Sequence, residues 1–318
     1  MYNNKNIAYI GRWLDKGSYM SSGWGGAYFK TNFSGNSVKL DLAGSADIYV
    51  SIDGGEDTLY NVVGAGVVNI TPSGLESGIH TLRVASKYTT DSIKLRNIIL
   101  NDGEELSKPE ISDTLIEFMG DSNTAGYLLP NNQLDNYSWL TGEALGEHVH
   151  IAYTGMALSD GIFNTNISRD VGMSVMFFKP SPSDERDDPD WDFTKYTPDI
   201  VCMNLGGNDE YENVVPGGIK KFRETLPVFL AKLRSTYPNS HIVVLIPTTT
   251  TPDKELYTAI PELVDGMGDS KMHWYAAYPW IADDLSGNRE SDNVHISVKG
   301  NKIVAEKLTQ IFRDLLGK

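Results

Sequence analysis

A single cysteine in 318 residues leaves no partner for an internal disulfide, so nothing in the sequence asks for an oxidising compartment. That residue, Cys202, lies in the apolar run DIVCMNL, where a small buried hydrophobe is expected rather than a reactive thiol. No apolar run approaches the ~18 residues that a membrane span needs. The opening stretch MYNNKNIAYIGRW has no basic segment followed by an apolar one, so it does not read as a secretion signal. A cytoplasmic protein is the simplest expectation, equally compatible with a leader already removed. Basic residues are also short: 27 Lys and Arg stand against 42 Asp and Glu, a formal net charge of −15. Such a surface repels phosphate backbones and anionic lipid, which argues against nucleic-acid and membrane partners and leaves neutral sugars or small esters compatible. Internal repeats and low-complexity segments are absent, and nothing in the sequence fixes the oligomeric state.

Apolar material is ample, at 40% hydrophobic residues, and the length exceeds that of an average domain, so two domains are expected. The two halves differ. Up to Asn101 the chain is a series of short β-branched and aromatic runs (AYFKTNF, SVKLDLA, ADIYVSI, TLYNVVG, GVVNITP, HTLRVAS, IKLRNIIL) separated by Gly, Asn, Asp and Ser. Alternation and spacing of this kind predict an antiparallel β-sandwich. Asp53-Gly54-Gly55 sits between two runs as a hairpin turn. The polar linker NDGEELSKPEIS places a boundary near Lys108, giving domains 1–108 and 109–318. Beyond it, strand and helix patterns alternate: TLIEFMG, HVHIAYT, DIVCMNLGG, HIVVLIP and KMHWYAAY as strands, with helices between them and a last helix N-capped by Ser297. That alternation predicts an α/β/α domain with a parallel sheet, whose ligands bind at the carboxyl ends of the strands. The stretch from Ser159 to Tyr196 is long and irregular, and its segment DERDDPDWD is the most acidic in the chain.

Three segments in the second half carry candidate chemistry. Ser122, in Gly120-Asp121-Ser122, ends a strand. A serine hydroxyl becomes a nucleophile only with a base in hydrogen-bond reach; otherwise it is an ordinary loop residue. His295, just before the last helix, is followed back in the chain by Asp292, and a turn with that spacing lets the carboxylate meet the imidazole Nδ1–H and leave Nε2 free as a base. A helix-capping Asp beside a surface His is the alternative. Asn208, in NLGGNDEY, ends another apolar strand and offers an amide to a developing oxyanion, unless the segment is only a glycine-rich turn. The sequence contains no G-x-S-x-G, which excludes the other common α/β-hydrolase elbow.

Taken in order, these segments resemble the SGNH/GDSL hydrolase superfamily. Gly120-Asp121-Ser122 corresponds to its first block, Gly206 through Asp209 to its third, and Asp292 with His295 to its fifth. The resemblance implies Ser122 as nucleophile and an oxyanion hole made by Asn208, the Ser122 backbone N–H and a backbone N–H from the turn YTGMALSDG. Ala157 or Gly155 would supply that last donor, and Ala157 departs from the family's usual glycine. In the first half, IGRW, SSGWGGAYFKTNFSGNSVKLDL and GIHTLRVASKYT look like the jelly-roll domain of carbohydrate esterase family 2. This resemblance implies O-deacetylation of acetylated oligosaccharides, xylo-oligosaccharides among them, or of another small ester, with no metal or organic cofactor. Some members of that family work without the aspartate; Asp292 is present here, so a triad is expected. An O-acyltransferase with the same residues, and a non-catalytic carbohydrate-binding protein, are the alternatives.

Other residues are candidates for substrate contact or metal binding. Trp274 and Trp280, in HWYAAYPW, suit either a sugar platform or core packing, and Tyr127 suits the pocket wall. Asp188, Asp190 and Asp192 lack the glycine and distal glutamate of a calcium loop, and His148 with His150 has no third ligand nearby, so no metal site is expected.

Overall fold

The computed structural model describes residues 4–162, 171–184, 186–210 and 217–318. Part of the long irregular stretch (163–170 and 185) and Tyr211 of NLGGNDEY lie outside them. The chain forms two compact units, Met1–Ser112 and Asp113–Lys318.

The first unit holds strands β1 (Ala8–Ile10), β2 (Trp13–Asp15), β3 (Met20–Ser22), β4 (Tyr28–Gly35), β5 (Lys39–Leu42), β6 (Ala46–Ile52), β7 (Thr58–Val62), β8 (Gly66–Asn69), β9 (Gly78–Ser86), β10 (Lys94–Ile99) and β11 (Leu106–Ser107). They build two antiparallel sheets, β1-β4-β9-β6-β7 with β11 also on β4, and β2-β3-β10-β5-β8. Alternation drives the packing. Phe29, Phe33, Ile48, Val50, Leu82 and Val84 of one sheet meet Leu40, Leu42, Leu95 and Ile98 of the other in a single apolar cluster. This is the expected β-sandwich.

The second unit is built on a parallel sheet of β12 (Leu115–Gly120), β13 (Glu147–Ala152), β14 (Ile200–Asn204), β15 (His241–Ile246) and β16 (Met272–Ala276), in the order β13-β12-β14-β15-β16. Its helices are α1 (Tyr137–Glu143), α2 (Met173–Met176), α3 (Gly218–Thr236), α4 (Leu256–Asp265), α5 (Tyr278–Ile281), α6 (Leu285–Asn288) and α7 (Val298–Leu316). The register sets Phe118 beside Cys202 and Cys202 beside Val243, a row that packs with Val304, Leu308 and Phe312 of α7. Every residue of β14 is buried, as a strand covered on both faces requires. Helix α7 starts where the sequence pattern puts it: the Ser297 hydroxyl accepts the Gly300 N–H at 3.2 Å. The segment NNQLDNYSWLTGEALGE before β13 is not one helix but a short 3₁₀ turn (Asn132–Asp135) and the short α1, because Asn136 adopts extended backbone and caps α1 instead of continuing the turn.

In strand order, β12 comes first in the chain yet lies between β13 and β14. The connection after β12 runs to β13 on one side and that after β14 to β15 on the other, which opens a crevice between their carboxyl ends. Gly120 and Asn204 are register partners at the ends of β12 and β14, so the segments that follow them emerge side by side.

Candidate active site

The turn after β12 folds back tightly. A Cβ on Gly120 would come within 2.0 Å of the Thr124 hydroxyl and 3.0 Å of the Asn204 carbonyl, so only glycine fits. The Thr124 hydroxyl bonds the Tyr137 hydroxyl at 2.7 Å, and Asn204 Nδ2 donates to that same oxygen at 3.1 Å. Tyr137, buried at the start of α1, thus fastens the Ser122 turn to the end of β14.

His295 approaches from the segment before α7. Its Nε2 lies 2.8 Å from Ser122 Oγ and its Nδ1 2.5 Å from Asp292 Oδ2. The other Asp292 oxygen accepts the backbone N–H of Val294 at 2.9 Å and of His295 at 3.0 Å. Burial alone would raise the Asp292 carboxyl. The hydrogen bonds from the His295 ring and the two backbone groups outweigh it and hold the carboxyl below the usual range. The imidazole is thereby oriented by a charged acceptor, with its second nitrogen on the serine.

Two residues that sequence reading did not single out hold this loop. Asn123 Oδ1 accepts the Ile296 N–H at 3.1 Å, joining the residue after Ser122 to the residue after His295. Arg289 donates to the carbonyls of Asn293 at 2.8 Å and Thr248 at 2.6 Å, which ties the Asp292 loop to the end of β15. No local pattern betrays either. Their partners are backbone groups, and most of those are distant in sequence.

Asn208 follows β14. Its Nδ2 donates to the Met156 carbonyl at 3.0 Å and, over a longer 3.3 Å, to Asp121 Oδ2. The bond to Asp121 is the longer, weaker of the two. Asp121 is buried and also accepts the Asn123 N–H at 3.0 Å. Burial pushes its carboxyl up to about 6, against the pull of the Asn123 N–H and of His295. Ala157 is buried and Gly155 takes a left-handed backbone at φ +79°, both in the turn after β13. Tyr127 stands at the rim, its ring 4.9 Å from that of His295 and tilted edge-on at 62°.

Trp274, on edge strand β16, donates its indole N–H to Asp265 at 3.1 Å, and Trp280 packs against the core cluster of the second unit. No described contact joins either to Ser122 or His295. Lys179 takes up the acidic loop, donating to the Asp188 carbonyl and to the Asp190 carboxylate, the latter at 2.9 Å, while Asp192 caps Thr194. His148 and His150 bond each other at 2.8 Å within the core. Among the described residues no group of three or more His, Cys, Asp or Glu is arranged to hold a metal, and no helix is long and apolar enough to cross a membrane.

A serine, a histidine and an asparagine on three loops at the carboxyl edge of a β13-β12-β14-β15-β16 sheet define the SGNH class of α/β/α scaffold. Comparison with known proteins makes the assignment specific. Residues 116–308 match the family described as GDSL-like Lipase/Acylhydrolase, and residues 9–109 match that described as Carbohydrate esterase 2 N-terminal. The chain belongs to the GDSL-like lipase/acylhydrolase family, and its first unit is of the carbohydrate esterase 2 type. It is 26% identical, over 99% of its length, to the cellulase/esterase CelE of Acetivibrio thermocellus, and spans 40% of that protein. It is 22% identical to an acetylxylan esterase / glucomannan deacetylase of Cellvibrio japonicus, over 76% of this chain and 68% of that protein. A family two carbohydrate esterase structure from Cellvibrio japonicus superposes with a TM-score of 0.86 at 19% identity, covering 99% of this chain and 97% of that one. One from Clostridium thermocellum, in complex with cellohexaose, gives 0.81 at 21% identity, covering 98% and 99%.

Proposed function

We propose that this protein is a serine esterase that removes O-acetyl groups from carbohydrate. The observation that carries the reading is the continuous series from Asp292 through His295 to Ser122, with bonds of 2.5 and 2.8 Å. Relatives described as acetylxylan esterase / glucomannan deacetylase and as cellulase/esterase support acetylated polysaccharide or oligosaccharide as the substrate class.

In this mechanism His295 Nε2 takes the Ser122 proton as Oγ attacks the acetyl carbonyl. The carbonyl π electrons move to oxygen, and that oxyanion is held by Asn208 Nδ2, the Ser122 N–H and an N–H of the 155–157 turn. The C–O bond to the sugar breaks, and the sugar oxygen leaves with the proton from His295. Water then attacks the acetyl-enzyme, gives its proton to His295, and acetate departs as Ser122 regains its own. Asp292 keeps the imidazole in the right tautomer and offsets its transient charge. Tyr127, beside the imidazole, contributes apolar surface where the sugar sits. An O-acyltransferase uses the same first half-reaction, and a salicylyl-acyltransferase from a tetracycline biosynthetic pathway shares this fold with a TM-score of 0.70. Only the acceptor separates the two readings.

The test compares wild type with Ser122→Ala on an aryl acetate and on a panel of acetylated xylo-, manno- and gluco-oligosaccharides. Acetate release by wild type, and a loss of about 10⁴-fold or more in the variant, is expected. Equal rates would sink the esterase reading, and acetyl transfer to an added sugar in preference to water would favour the transferase.

A further inference from the structure

One buried acid beside the site has no part in the mechanism above. Asp209 is fully buried at 0% exposure. Its two carboxylate oxygens accept the backbone N–H groups of Leu158, at 2.8 Å, and Ser159, at 3.0 Å. Its neighbour Asn208 grips the same turn by donating to the Met156 carbonyl at 3.0 Å. The remaining backbone groups are also committed: Met156 N–H donates to the Tyr153 carbonyl at 3.1 Å, and the Ala157 carbonyl accepts the Met173 N–H at 2.8 Å. Of the N–H groups from 156 to 159, that of Ala157 alone meets no acceptor among the described residues.

A buried backbone donor without a partner is costly, and chains avoid it. Here the turn is held in a shape that keeps one. The clamp on its far side is a carboxylate, which bonds N–H groups more strongly than a neutral acceptor does. Burial pushes the Asp209 carboxyl up to about 6, so its charge is present near neutral pH against the tendency of its surroundings. Leu158 and Ser159 immediately follow Ala157, so a shift of their peptide planes swings the Ala157 N–H as well.

We infer that Asp209 is a positioning residue: by fixing the 156–159 turn, it holds the Ala157 N–H toward the oxyanion formed at Ser122. The inference rests on the esterase reading and deepens it. It also separates the two neighbours in the GGND segment. Asn208 meets the oxyanion directly, while Asp209 acts through the backbone of another loop.

The experiment uses the full chain with Asp209→Asn and Asp209→Glu, assayed on an aryl acetate, by thermal unfolding, and by the affinity of an arylboronic acid. The boronate forms a tetrahedral adduct on the serine whose oxygen occupies the hole, so it reads the hole rather than the ground-state pocket. Asp209→Asn keeps the size but places an amide against two N–H groups. It is expected to lower kcat about 10–100-fold, with KM within about twofold, and to weaken the boronate by a similar factor. Asp209→Glu keeps the charge but displaces it, and is expected to show a smaller loss of the same signature. It also carries the test if the Asn variant does not fold. A folded variant with wild-type kcat and boronate affinity, or one that changes only KM, overturns the inference. Ser122→Ala measured alongside separates the levels. If it is as active as wild type, the esterase reading fails; if it is inactive while both Asp209 variants behave as wild type, only the positioning role fails.

Discussion

His80 with Asp53 in the first unit, and His295 with Asp292 in the second, are bonded almost alike. In each, Nδ1 meets a carboxylate oxygen, at 2.6 Å for His80 and 2.5 Å for His295. In each, the other carboxylate oxygen accepts a backbone N–H, from Thr81 at 2.8 Å and from His295 itself at 3.0 Å. The difference is at Nε2. In His80 it faces the Glu76 carbonyl at 3.0 Å, an acceptor only, so both ring nitrogens donate and the ring is held as a cation. In His295 it faces the Ser122 hydroxyl at 2.8 Å, which can give a proton. A His–Asp pair by itself is therefore no sign of catalysis; the partner of the second nitrogen decides whether the ring is a base or a structural cation.

The largest expected break between the pairs is in turnover. His295→Ala should cost about 10⁴-fold or more in kcat/KM on an aryl acetate, while His80→Ala should stay within about twofold. Comparable losses in the two variants would remove the basis of the distinction. Next in size are the carboxylates. Asp292→Asn should lose about 10²–10⁴-fold in kcat through the wrong imidazole tautomer, and Asp53→Asn should leave the rate unchanged. A nearly active Asp292→Asn would mean that Ser122 and His295 suffice without it.

The smallest effect is on stability. For His80, burial works to lower the pKa, but the hydrogen bonds to Asp53 and to the Glu76 carbonyl outweigh it and hold the ring above its ordinary value. A raised folded pKa means that the folded state binds the proton more tightly. The pair's contribution is then fully present below the unfolded value of about 6.5 and is lost as pH rises through the folded one. Asp53, held below the ordinary carboxylate range, sets the acid limit, since its share is lost as pH falls through its own folded value. His80→Ala should therefore lower Tm by a few degrees near pH 5 and by less near pH 9, in thermal unfolding at fixed ionic strength. A deficit that grows toward pH 9 would show that the ring is not held as a cation.

The same contrast bears on what a sequence reader can see. Asp292 and His295 were legible as a pair because one short turn brings them together, and Ser297 was legible as the cap of α7 for the same reason. The five strands of the second unit and β4 to β10 of the first were legible from their apolar patterns, since a half-buried strand alternates and a fully covered one such as β14 does not, whereas β1, β2, β3 and β11 are two or three residues long, too short to carry a pattern. His80 and Asp53, 27 residues apart, carried no local signal. Nor did Asn123 and Arg289, whose partners are backbone groups present at every position in the chain. Trp274 and Trp280 were conspicuous by composition, yet their surroundings are Asp265 and the core of the second unit. An aromatic cluster in sequence says only that large apolar area must be covered, by protein or by ligand.

By itself, then, the sequence determined what short-range forces can specify: the alternation that makes a sandwich, the strand–helix rhythm that makes a covered parallel sheet, and the turn that bonds Asp292 to His295. The rest was decided by the tertiary structure. Ser122 and His295 are 173 residues apart, and Asp209 lies 51 and 50 residues from the N–H groups it accepts. They meet because the strand order puts the ends of β12 and β14 side by side, with the turn after β13 at their flank and the segment before α7 returning over the same edge. Hydrogen-bond geometry falls off within tenths of an ångström, whereas a residue pattern fixes only which face of a strand or helix is buried. Which histidine finds a serine, and which aspartate holds a turn, is settled only when the whole sheet is assembled.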